Sequence, residues 1–182
     1  MPFVAFLEGS LYVFVVLALL APRFLTHWFT ILFGRHGLVG DVLPDVVLLV
    51  AASLPVASLV GVILHGNDMR DIATDKAAGI CTTASRLGPL GALVLYGTLH
   101  AVPHLFCVAM CVLRLLDEYR PPAFPWLIPL LVLPLTIRTL AKAVSVYRAD
   151  PADPPWRGLE RASGGIHCLF GILYALSIAL GA

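Results

Sequence analysis

PDVVLLVAASLPVASLVGVILHGNDMRDIATDKAAG, residues 44–79, sets an uninterrupted apolar run against a dense block of charge. The run 44–65 approaches the length of about 20 residues that a helix needs to cross a bilayer. Directly after it, Asn67 to Gly79 holds three carboxylates (Asp68, Asp71, Asp75) and two cations (Arg70, Lys76). Residues four apart share a helix face, so Asn67, Asp71 and Asp75 project together, with Asp68 one position round from the row. Such a row suits a hard divalent cation. Magnesium prefers oxygen ligands and resists full dehydration, so it commonly takes one or two carboxylates and completes its shell with water and phosphate oxygens. The stretch reads as a metal–diphosphate site at a membrane edge.

Outward from this block the chain stays oily. It is 59% hydrophobic and 13% charged, with mean hydropathy +0.92, against a soluble average of about half apolar and a quarter charged residues. Apolar runs at 3–22, 44–65, 89–113, 124–147 and 164–181 predict an all-α, polytopic transmembrane bundle of about five spans, forming a single membrane domain over residues 1–182. Pro55, Pro103, Pro129 and Pro134 fall inside these runs, which bundled membrane helices tolerate. Arg138 and Lys142 interrupt the fourth run, where long basic side chains near a helix end snorkel to the headgroups. The first run has no basic residue before it and contains Glu8, unlike a signal peptide, and is expected to be retained. Arg23 to Asp45, with its aromatic residues and glycines, is expected to be a connector lying on the membrane surface.

Arg70, Lys76, Arg86, Arg138, Lys142, Arg148, Arg157 and Arg161 fall on the side of the N-terminus, eight against the four of Arg23, Arg35, Arg114 and Arg120. The positive-inside rule then places the Asp-rich segment in the cytoplasm, in a multi-pass protein of the cell inner membrane. A net charge of +1 gives no reason to expect a nucleic-acid partner. Cys81, Cys107, Cys111 and Cys168 fall in or beside the spans and imply no disulfide framework. His100, His104, Cys107 and Cys111 recur on one face of the third span but cover about 16 Å, too far for one ion. A polar seam toward other helices is the expectation there. His65 lies at the right height to touch an acceptor or to serve as an interface residue. Glu8 either lines a pocket or sits at the membrane surface.

The run Asn67 to Gly88 resembles the second aspartate-rich motif of the intramembrane aromatic prenyltransferases of UbiA type. The nearest pattern is that of the 1,4-dihydroxy-2-naphthoate prenyltransferases of menaquinone synthesis, Asn-Asn-x-Arg-Asp-x-x-x-Asp-Arg-x-x-Gly-x-x-Thr followed by Arg-Leu-Gly. Asn67, Arg70, Asp71, Asp75, Gly79, Thr82, Arg86, Leu87 and Gly88 match it, Asp68 replaces the second Asn, and Lys76 replaces Arg. Pro134 to Arg138 with Lys142, and Leu159-Glu160-Arg161, resemble later parts of the family more weakly.

The resemblance implies transfer of a polyprenyl group from its diphosphate to an aromatic, naphthoate-like acceptor in quinone biosynthesis, with Mg2+ as cofactor. Asp71 and Asp75 would be the catalytic metal ligands with Asn67, and Asn67, Asp68, Gly79 and Thr82 would support the motif. Arg70, Lys76, Arg138 and Lys142 would contact the diphosphate, with headgroup contact an equal reading for Arg138 and Lys142. The family carries a first motif of the type Asn-x-x-x-Asp-x-x-x-Asp, but Asn67 is the one asparagine here. The chain therefore corresponds to spans five to nine of nine, and a separate N-terminal half-subunit is expected to supply the rest. The alternatives are a non-catalytic membrane scaffold or degenerate relative and, third, a small transporter.

Overall fold

Proline spacing and apolar length set the architecture. The computed structural model describes residues 42–116 and 124–181, and among them the order is α1 (Val42–Arg70), α2 (Ile72–Ala77), α3 (Thr83–Leu115), a 3-10 helix (Phe124–Val132), α4 (Leu133–Ala149) and α5 (Leu159–Gly181). Among the described residues, four stretches are long and apolar enough to cross a membrane: Val50–Arg70, Thr83–Leu115, Phe124–Ala149 and Leu159–Leu180. The all-helical, multi-pass expectation is met by these four. The expected span 3–22, Glu8 and most of the 23–45 connector lie outside the described residues.

Two expected boundaries shift for physical reasons. The apolar run ending at residue 65 continues as helix to Arg70, so the start of the charged block is the last turn of α1 and not a loop. The fourth run is not one α-helix. Pro125, Pro129 and Pro134 each lack a backbone donor and crowd the carbonyl four residues earlier, and the chain between them tightens into a nine-residue 3-10 segment before α4 begins with proline in its first turn.

Helix α3 contains a break of its own at Gly88, whose φ of 70° and ψ of 175° are non-helical. Gly88 takes a left-handed φ that other residues adopt at a cost, and Pro89 then starts the long apolar part with φ already set. Exposed Leu105, Val108, Val112 and Leu113 on this part present an apolar surface suited to lipid.

The buried side chains form two clusters. One gathers Val56 and Leu59 of α1, Cys107 and Cys111 of α3, Trp126 and Val132 of the 3-10 helix, and Ile166, Phe170, Tyr174 and Ile178 of α5. Its aromatic rings interlock: Phe170 and Tyr174 stack with centroids 5.5 Å apart, and the Tyr174 hydroxyl donates to the Ala52 carbonyl at 2.8 Å. The second gathers Val62, Met69, Ile72, Ala84, Ala92, Tyr96, Ala143, Trp156 and Leu159. Met69 and Ile72 belong to this cluster, so the apolar neighbours of Arg70 and Asp71 anchor the charged block to the bundle.

Candidate functional site

Backbone hydrogen bonding carries the helical row across the end of α1. The Asp71 amide donates to the Asn67 carbonyl at 3.1 Å, and the Asp75 amide to the Asp71 carbonyl at 2.8 Å. Asn67, Asp71 and Asp75 are thus consecutive steps of one helical ladder, despite a local departure at Asp71 (φ −100°, ψ 7°) that separates α1 from α2. All three are half-buried, as is Asp68, whereas Lys76 is exposed.

Two motif residues act on the backbone. The Ile80 amide reaches the Asp75 carbonyl at 2.8 Å and the Gly79 amide the Lys76 carbonyl at 3.2 Å, with Gly79 at φ +71°. This is a Schellman stop, which requires the left-handed conformation that glycine adopts without a Cβ clash. It closes α2 one turn after Asp75. Thr82 then caps α3, its hydroxyl accepting from the Ser85 amide at 3.2 Å while the Ser85 hydroxyl donates to the Thr82 carbonyl at 2.9 Å.

The structure places Arg70 on Asp71. Its Nε and Nη2 donate to the two carboxylate oxygens at 2.9 and 2.8 Å, a bidentate pair. Those hydrogen bonds, then the positive charge itself, hold the Asp71 carboxyl below its ordinary value. Nη1 of Arg70 also lies 3.5 Å from Oε1 of Glu160, in the first turn of α5. Sequence reasoning gave Arg70 a diphosphate to bind and gave Glu160 no role; the signals for Glu160 were the weak family resemblance of Leu159-Glu160-Arg161 and an acidic residue opening the last helix.

Arg138 and Lys142 share one face of α4, as their spacing predicts, and line a cleft of about 600 Å3 with Leu135, Thr139, Ala162, Gly165 and Ile166. Lys142 Nζ also lies 3.5 Å from the Arg157 carbonyl. The cleft is therefore an α4–α5 groove with two cations on an otherwise mostly apolar wall.

The remaining polar residues join helices. His65 is buried, and its Nε2 donates to the Ala92 carbonyl at 2.9 Å, which ties α1 to α3. His104 Nε2 pairs with the Thr136 hydroxyl at 3.0 Å, and His100 Nε2 with the Ser163 hydroxyl at 3.4 Å. Ser163 in turn lies 2.6 Å from the Tyr96 hydroxyl. The expected polar seam is present, while Cys107 and Cys111 lie in the apolar cluster. Cys81, for which the sequence suggests no partner, accepts from Arg86 Nε at 3.0 Å.

Among the described residues no three Asp, Glu, His or Cys side chains converge as a metal-binding group. The donors at hand are two carboxylates and an amide spaced by helical turns. These hard oxygens fit a magnesium ion that shares its shell with phosphate and water, and do not fit a cage built by this chain alone.

The chain is 30% identical over 131 residues to UbiA prenyltransferase domain-containing protein 1 of Mus musculus, covering 70% of this chain and 33% of that protein. These matches support the UbiA superfamily. The Homo sapiens protein of the same name is 29% identical over 128 residues, again 70% of this chain and 33% of its own length, and the Danio rerio one is 44% identical over 63 residues, 34% of this chain and 19% of its own. The chain thus spans about a third of the length of the curated relatives that match most of it. No family model and no solved structure matches.

Proposed function

We propose that the chain forms part of a magnesium-dependent intramembrane prenyltransferase and holds the diphosphate head of a polyprenyl donor at the α1–α2 end of its bundle. The observation that carries this reading is the ladder Asn67–Asp71–Asp75, set at the end of an apolar helix and closed by Gly79. Similarity to proteins named for a prenyltransferase domain supports it. The acceptor proposed is an electron-rich aromatic ring, naphthoate-like, in quinone biosynthesis. The excess of basic residues supports a reaction at the cytoplasmic side of the inner membrane.

In the reaction, the bond between the allylic carbon and the diphosphate oxygen breaks, with its electron pair leaving on the diphosphate. A carbon–carbon bond forms to the ring, and the ring gives up a proton. Magnesium would supply electrostatic stabilisation of the leaving oxygens. Asp71 and Asp75 would hold it, with Asn67 on the same face and Asp68 beside it. Lys76 and, across the bundle, Arg138 and Lys142 are the cations offered to the diphosphate. The lipid bilayer takes the prenyl tail, and a separate segment carrying the first aspartate-rich motif completes the site.

A second reading, a non-catalytic membrane scaffold, draws on the Arg70–Asp71 pair, which engages both oxygens of a proposed metal ligand. Here the trio Arg70, Asp71 and Glu160 is simply a clamp between α1 and α5. The readings part in a transfer assay. The purified chain alone is expected to show no magnesium-dependent prenyl transfer, and co-expression with a matching N-terminal half to restore it, with Asp71→Ala abolishing the gain. Robust turnover by the isolated chain would contradict the need for a second half, and no turnover in any combination would favour the scaffold.

A further inference from the structure

We propose that Glu160 is a positioning residue that receives the Arg70 guanidinium when Asp71 gives its oxygens to a divalent cation. The inference rests on the metal-site reading above and adds a residue from α5 to it.

Three observations lead here. Arg70 covers both oxygens of Asp71 at 2.9 and 2.8 Å, so a cation reaches that carboxylate only after the fork has moved. A displaced guanidinium needs another anion, because a divalent ion beside it adds like-charge repulsion. Glu160 offers that anion in a half-satisfied state: Oε1 is 3.5 Å from Arg70 Nη1, and Oε2 is buried with no hydrogen-bond partner. A buried carboxylate oxygen without a donor is costly, and a bidentate fork is the arrangement that would satisfy both oxygens.

The two partners differ in freedom. Glu160 is fixed by its surroundings: a Cβ added at Gly66 would meet the Glu160 amide nitrogen at 3.3 Å, so α1 and α5 touch there through a glycine. Leu159 beside it is fully buried, and its carbonyl accepts from Tyr96 at 3.3 Å. Arg70, by contrast, is the last residue of α1, beside the break at Asp71, and its side chain is 38% exposed. The guanidinium therefore moves between two carboxylates while Glu160 stays in place.

Manganese binding tests this without reference to turnover. Purified full chain in phosphatidylcholine nanodiscs is titrated with Mn2+, free ion being counted by electron paramagnetic resonance, for wild type, Glu160→Gln, Arg70→Gln and the double variant, each checked for native helicity. Wild type is expected to bind weakly, through the carboxylates with water completing the shell. Glu160→Gln should bind roughly five-fold more weakly, the size of one lost charge-assisted contact. Arg70→Gln should bind more tightly than wild type, and in that background Glu160→Gln should change affinity less than about two-fold, since its effect runs through Arg70. An equal loss from Glu160→Gln in both backgrounds would show a simple charge effect and overturn the proposal. Unchanged affinity in Glu160→Gln would overturn it too, leaving the metal site standing. Absence of Mn2+ binding in wild type and in Arg70→Gln alike would remove the metal site, and this inference with it.

Discussion

The two buried clusters both join α1, α3 and α5, but by different means. Around Phe170 and Tyr174 the contacts are mainly apolar and aromatic, with Trp126 and Phe106 edge-on to Tyr174 or tilted against it and one polar tie, from the Tyr174 hydroxyl to the Ala52 carbonyl. Around Tyr96 and Leu159 the packing is threaded with specific polar ties: Tyr96 to Ser163 and Leu159, and His65 to Ala92. The first kind of contact depends on volume and tolerates small shifts, while a hydrogen bond fixes position to a few tenths of an ångström. Most of these ties, those of Tyr96 and His65, belong to the cluster that includes Met69 and Ile72, the neighbours of Arg70 and Asp71. The difference predicts that losses of stability and losses of site geometry follow different substitutions.

Substitutions can break that separation, and the largest effect is expected in the aromatic cluster. Phe170→Ala removes a fully buried ring and should cost about 3 kcal/mol or more, read by denaturant titration in mixed micelles, while Mn2+ affinity of the folded fraction stays within about two-fold. A large loss of affinity would show that the clusters are coupled.

Gly79→Val sharpens the comparison from the other side. It forces a β-branched residue to φ +71° and should cost about 1–3 kcal/mol of local strain. Because Gly79 closes α2 after Asp75, Mn2+ affinity should fall as well, and Gly79→Asn should recover much of both. Equal, normal affinity in the Val variant would mean that the end of α2 does not position Asp75.

Tyr96→Phe keeps the ring and deletes the hydroxyl shared by Ser163 and Leu159. A loss of about 1–2 kcal/mol is expected, with a smaller effect on packing than Phe170→Ala and a larger effect on Glu160, whose neighbour Leu159 loses its tie. Amide hydrogen exchange at the start of α5 would report that displacement, and unchanged exchange there would mean that the hydroxyl does not position Glu160.

The smallest effect concerns Asp71. Its carboxyl is held below the ordinary value by the hydrogen bonds and charge of Arg70, so the pair stabilises the fold above the unfolded carboxylate value of about 3.9 and loses this as pH falls through the lower folded value. The two side chains are 38% and 42% exposed, so solvent screening keeps the contribution small. A carbon-13 titration should show the Asp71 midpoint rising toward 3.9 in Arg70→Gln. A midpoint unmoved by that change would mean that the pair does not persist in solution.

Much of this was legible in the chain. Apolar run length located the described spans, and helical spacing correctly put Asn67, Asp71 and Asp75 on one ladder, because both are properties of consecutive residues. Gly79, Thr82 and Gly88 were legible as members of a pattern, though their backbone roles, a left-handed stop, a cap and a kink, emerge from the φ angles and hydrogen bonds. The 3-10 segment escaped although Pro125, Pro129 and Pro134 announce it; tolerance of proline in membrane helices does not tell which way the backbone yields. Glu160 escaped for a deeper reason. It lies 90 residues from Arg70, and only the close approach of α1 and α5 at Gly66 brings the pair together.

The most direct measurement of the central claim is equilibrium binding of farnesyl diphosphate to the chain in neutral-lipid nanodiscs, with Mg2+ and with chelator, for wild type and for Asp71→Asn/Asp75→Asn. The account predicts binding that needs Mg2+ and weakens at least about ten-fold in the double variant. Binding that persists unchanged in chelator and in the double variant would contradict it.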